Sequence, residues 1–179
     1  MGWAGGRRLS YSALFTLGIA GCGVFGGAPP QPCPVASIVS DASQATVFKD
    51  GPGRDLIDIR FEVEIDAIAS DCDYNRAGDE ITIRTGVRIV ATRGPATQGP
   101  DVAFSFFVAV VDRDQRVLAR ERFESALVFE PTQRRVGAVE EIEEVIPLPE
   151  GLSGANYEIL VGIILTADQL EFNRSRSRR

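Results

Sequence analysis

The sequence predicts an all-β domain: an antiparallel two-sheet sandwich of about seven strands, closed by a short C-terminal helix. Apolar residues recur at every second position over most of the chain, the period of a strand with one face in a core and one in water. Clusters of Gly, Pro, Asn and Asp interrupt these runs at short intervals, as expected of hairpin-like connections. At 179 residues and 44% hydrophobic, the chain is long enough to bury one core.

Taken in order, a first strand falls near residues 35–39. Ile57, Ile59, Phe61, Val63 and Ile65 then alternate with Asp58, Arg60, Glu62, Glu64 and Asp66. The alternation slips at Ala67-Ile68, which predicts a bulge or a strand end. Ile81, Ile83, Val87, Ile89 and Ala91 repeat the pattern after a polar turn at 71–79. Residues 94–100 read as a loop. In the run 102–111, Phe104, Phe106, Val108 and Val110 take one face and Phe107 and Val111 the other, so this strand is expected to be central. A turn at 112–116 leads into a strand over 117–129. The run 136–148 is ambiguous, since Ile142, Val145 and Ile146 would share a helical face. A strand is preferred, because Ile142, Ile146 and Leu148 share parity and Pro147 and Pro149 forbid a helix. Tyr157, Ile159, Val161, Ile163 and Leu165 mark the last strand. Thr166-Ala167-Asp168-Gln169 fits a capping box, predicting a helix to about Asn173 that seats Leu170 and Phe172. Residues 174–179 hold four arginines and are expected to be a solvated, disordered basic tail. Such a tail is able to touch acidic lipid headgroups or an acidic partner.

The N-terminus carries an address. Arg7 and Arg8 precede a short apolar stretch that ends in Ile19-Ala20-Gly21-Cys22, the build of a secretory signal with small residues at its cut. The stretch is too short to span a bilayer. Gly23, Gly26, Gly27, Pro29, Pro30, Pro32 and Pro34 follow it and end any helix. The Cys after the small residues resembles the lipobox of small lipoproteins from Gram-negative bacteria. That resemblance implies a leader over 1–21, a lipid on Cys22, a tether over 22–32, a domain over 33–173 and the tail at 174–179. Gly23, where an Asp favours inner-membrane retention in many such bacteria, implies an outer-membrane location facing the periplasm. With Cys22 given to the lipid, the other two of the three cysteines, Cys33 and Cys72, form an even pair. In an oxidising compartment such a pair is most simply a disulfide, closing a loop of ~40 residues. Free thiols are the alternative, and two sulfurs in a chain with no histidine are too few ligands for a closed zinc shell.

Composition narrows the chemistry. With 19 basic and 25 acidic residues, the chain lacks the cationic surface that nucleic acid requires. The absence of histidine removes Ser-His-Asp and Cys-His catalysis. The only lysine, Lys49, lies beside Asp50-Gly51-Pro52-Gly53, a poor place for the desolvation that a Ser-Lys dyad needs. Asp71, Asp73 and Asn75 resemble the opening of a calcium loop. Arg76 then stands where that loop needs glycine, and Thr82 where it needs a bidentate glutamate. Glu140, Glu141, Glu143 and Glu144 invite a general-acid reading, or that of an edge strand kept apart by charge. Gly154-Ala155-Asn156-Tyr157 resembles the tyrosine corner of immunoglobulin-like domains, which implies that a ring hydroxyl ties a loop to the sheet. The expectation is a non-enzymatic envelope lipoprotein, without cofactor or metal, whose domain binds or assembles another envelope protein. The alternatives are a carboxylate-dependent hydrolase or lyase of an envelope polymer, and a purely structural envelope protein.

Overall fold

The computed structural model describes residues 31–177. The chain runs through β1 (Val35–Ile38), β2 (Gln44–Phe48), β3 (Ile59–Tyr74), β4 (Glu80–Arg93), β5 (Asp101–Asp112), β6 (Val117–Val128), β7 (Arg135–Pro147), β8 (Tyr157–Ile163) and α1 (Ala167–Ser177). A first sheet has the order β1-β8-β5-β6 and a second the order β2-β3-β4-β7. The two-sheet sandwich therefore forms as the alternation predicts, with eight strands among the described residues. Ile81, Ile83, Val87 and Ile89 of β4 meet Val102, Phe106 and Val108 of β5 and Ile159, Val161 and Ile163 of β8 in one core. Burying each such side chain is worth about 1.5–3 kcal/mol. The slip expected at Ala67-Ile68 is a break in register between Ile65 and Ala67. Strand β5 is interior, paired to β6 on one side and β8 on the other.

Four features differ from the sequence expectation. The strand β2 has five residues, too few to establish a period, and pairs antiparallel with β3. Strand β1 lies parallel to β8. Ile57 is 71% exposed and Asp58 only 5%, the reverse of the expected parity. Leu56–Asp58 is a 3-10 turn before β3, where the Asp58 carboxylate accepts the Asp55 amide and pairs with Lys49 at 2.7 Å. Finally, α1 continues to Ser177, past the expected end at Asn173. Arg174 pairs with Asp41 at 2.8 Å and Arg176 with Glu62 at 3.2 Å. Basic residues in a last turn also suit the helix dipole. The capping box is as expected: the Thr166 amide donates to Gln169 Oε1 at 2.9 Å, and the Gln169 amide donates to Thr166 Oγ1 at 3.2 Å.

The immunoglobulin likeness is one of architecture. Strands β2, β3 and β4 form a consecutive meander in one sheet, whereas the immunoglobulin order divides its strands as ABED and CFG. Tyr157 does begin β8 with its ring buried, but the hydroxyl that ties a loop to the sheet belongs to Tyr74. It donates to the Pro32 carbonyl at 2.5 Å and accepts the Gly154 amide at 2.7 Å.

Candidate functional site

Three places combine chemistry with access: the end where the chain enters the domain, the outer face of the second sheet, and the flank formed by β6 and β7. At the entry, Cys33 and Cys72 are disulfide-bonded with Cα atoms 5.7 Å apart. The bond fixes the segment ahead of β1 to the last residues of β3 in the opposite sheet. Tyr74, two residues on and on the same face of β3, adds its two hydrogen bonds. Gly154 allows that approach, because a Cβ there would collide with the Pro32 carbonyl and the Tyr74 hydroxyl. Tyr74 was not among the expected site residues. Its shared parity with Cys72 is the signal that marks it. Cys22, the expected lipidation site, lies outside the described residues, as do the expected leader and most of the expected tether.

On the outer face of the second sheet, a shallow hollow of about 610 Å³ lies over Ala69 and Gly86. Asp71, Arg84 and Glu143 are direct cross-strand neighbours along its rim, and Glu141 stands opposite Gly86. Two of the three calcium candidates fall here, and they do not converge on an ion site. Arg84 bridges Asp71 at 3.0 Å and Asp73 at 2.6 Å, and this pairing raises its own pKa. Asn75 turns away into the hairpin, where its side chain donates to Asp79 at 2.7 Å and accepts the Gly78 amide at 2.8 Å. No group of three or more metal-ligating side chains occurs among the described residues. Lys49 is equally engaged: its ammonium holds the Asp58 carboxyl below the usual range, helped by the Asp55 amide.

The β6–β7 flank is where the glutamates sort themselves. Glu141 and Glu143 face outward, whereas Glu140 and Glu144 share the parity of buried Ile142 and Ile146 and face the gap between sheets. Across that gap, Ser125 of β6 donates to Glu140 at 2.5 Å. Four residues further along β7, Glu144 lies within electrostatic reach of Glu121, four residues back along β6. The seam is therefore zipped by one hydrogen bond and disturbed by two facing acids. Burial, and then the Glu121 carboxylate, push the Glu144 carboxyl above the usual glutamate range. Its Oε2 is buried without a hydrogen-bond partner. Glu121 was also missed from sequence, although it sits on the same row as Phe123 and Leu127.

Among the described residues no helix is long and apolar enough to cross a membrane. No protein-family model, curated protein or solved structure matches the chain.

Proposed function

We propose that this chain is an exported lipoprotein, held by a lipid on Cys22 at the outer membrane and facing the periplasm. In this reading its sandwich is a non-enzymatic module that binds or assembles another envelope component. The observation that carries the reading is the Cys33–Cys72 disulfide downstream of the lipobox. Disulfides persist in oxidising compartments, and the lipobox supplies the route to one. The tether between Cys22 and Cys33 reaches at most about 35 Å, which keeps the domain's disulfide-bonded entry near the bilayer. The module reading is supported by the flank of β6 and β7, two long strand edges of the kind to which an added strand pairs. The facing carboxylates Glu121 and Glu144 lie in the seam and do not line the hollow on the outer face, which favours a module over a carboxylate hydrolase.

Mass spectrometry of the protein extracted from bacterial membranes tests the anchor. The expected product begins at an acylated Cys22, and Cys22→Ala leaves the leader attached. An intact Met1 on the parent protein, or an unmodified Cys22, overturns the localisation. Crosslinking in native envelopes tests the module: a reproducible envelope-protein partner is expected, and its absence overturns the binding role while leaving the anchor standing.

A further inference from the structure

We infer that β6 is a self-recognition edge, pairing antiparallel with β6 of a second copy about a two-fold axis through Phe123, so that the first sheet continues across two molecules. The inference goes beyond the anchored-module reading and does not depend on the lipid.

The backbone allows it. The Phe129 amide donates to the Pro100 carbonyl at 2.9 Å, and the register from Asp101↔Val128 to Val110↔Ala119 is unbroken. Hydrogen-bonded and non-bonded positions alternate along an antiparallel pair. The odd-numbered residues of this stretch therefore turn their N–H and C=O toward β5. Those of Arg120, Arg122, Glu124 and Ala126 point to the free edge. A join through Phe123 places Arg122 opposite Glu124 of the second copy and Arg120 opposite its Ala126, each a position where both backbones present free groups.

The side chains select this register. Arg122 and Glu124 already touch within one strand at 3.1 Å; in the join each gains its opposite in the second copy, twice by symmetry. Phe123 meets Phe123 on the core side. At both ends of the join, exposed Leu118 (53%) falls opposite exposed Val128 (55%). Moving the axis one residue to Arg122 sets arginine against arginine, and moving it to Glu124 sets glutamate against glutamate. Like charges directly opposite each other destabilise a pair. The register shift after Val110 ends the regular edge next to Leu118, which limits the join to the stretch where the chemistry matches. The neighbouring edge does not share this property. The Leu148 amide bonds the Asp79 carbonyl at 2.7 Å, so the odd residues of β7 face outward, Glu141 and Glu143 among them. Any self-pairing centred on them opposes acid to acid, and Pro147 lacks an N–H at the strand's end.

Sedimentation equilibrium of the full chain in non-ionic detergent, with circular dichroism of each variant, tests the inference. The parent is expected to be a dimer. Arg122→Glu and Glu124→Arg should each raise the dissociation constant by about tenfold or more, since two attractive pairs become repulsive. The double variant, which restores opposite charges across the axis, should return toward the parent value. Arg122 and Glu124 are exposed, so both reversals are expected to keep the β spectrum; if one does not, the other decides. A monomeric parent, a dimer that neither reversal weakens, or a double variant no tighter than the singles overturns the inference.

Discussion

Strands β1 and β2 close one flank of the sandwich with 4 and 5 residues, whereas β6 and β7 run for 12 and 13 along the other. The β2 edge of the short flank is covered by helix α1. The Ile65 amide bonds the Ser43 carbonyl, so by alternation Gln44 and Thr46 turn their carbonyls away from β3. Helix α1 meets both: Asn173 Nδ2 donates to the Gln44 carbonyl at 2.7 Å, and Gln169 Nε2 reaches the Thr46 carbonyl at 3.5 Å. Spaced four residues apart on one helix face, the two amides stand where the next strand would. Phe172 adds an edge-on contact with Phe48 at 5.1 Å. The long flank has no such cover among the described residues and relies on charge. Covering an edge hides its backbone from every partner, while charging it rejects only partners of the wrong pattern. That difference makes the β6–β7 flank the part of the molecule with something left to recognise.

The covalent closure of the covered side should be the costliest feature to lose. Replacing Cys33 and Cys72 together by alanine is expected to cost about 2–5 kcal/mol, measured by urea unfolding. A loss below ~1 kcal/mol would mean that hydrogen bonds alone hold the entry segment. Asn173→Ala comes next. It leaves the Gln44 and Asp41 carbonyls without the donor that reaches them at 2.7 and 3.0 Å, at a cost of about 1–3 kcal/mol. Hydrogen exchange should quicken in α1 and β2 while the amides of β5 and β6 stay as protected as before. Equal loss on both sides would break the distinction between the flanks. Tyr74→Phe removes the bridge from Pro32 to Gly154 and should cost about 1–2 kcal/mol; an unchanged thermal midpoint would show that the disulfide carries the closure by itself.

Much of the long interior strands β3 and β4 was legible in the sequence, and much of the short flank was not. Runs such as Ile81-Thr82-Ile83-Arg84 write their burial directly, because every second side chain meets the core. The slip at Ala67-Ile68 announces its bulge for the same reason. Five residues of β2 carry too little period to be read. Asp58 reverses the expected parity because a 3-10 turn, stabilised by Lys49, outweighs the alternation that begins at Ile57 in the sequence. The arginines at 174 and 176 read as a solvated tail in isolation, since Asp41 and Glu62, the groups that order them, lie more than 100 residues earlier in the chain. The glutamate run of β7 was legible as charge, yet its division into outward Glu141 and Glu143 and inward Glu140 and Glu144 needed the strand's neighbours. Tyr74 and Tyr157 teach a related point: a motif locates a tyrosine at a strand start, but contact with Gly154 decides which hydroxyl does the tying.

The smallest expected effect lies in the seam of the open flank and carries a distinctive sign. Glu144→Gln keeps the volume and removes the charge that faces Glu121. Because Glu144 remains partly exposed, the stabilisation at neutral pH should be under about 1 kcal/mol. A carboxyl whose pKa is raised by folding binds more protons in the native state than in the unfolded one. The parent's stability from this group therefore rises as pH falls through the window beginning above the ordinary value of 4.5. The advantage of Glu144→Gln should accordingly shrink on acidification through that window, when the parent's own carboxyl becomes neutral. Asp58, beside Lys49, has the opposite sign. Its lowered carboxyl stabilises the fold above the ordinary value of 3.8, and that contribution is lost as pH falls below it. Denaturant titrations of parent, Glu144→Gln and Asp58→Asn at several pH values separate the two. A Glu144→Gln advantage that stays constant down to pH about 3 would mean that the gain comes from packing and not from the charge pair.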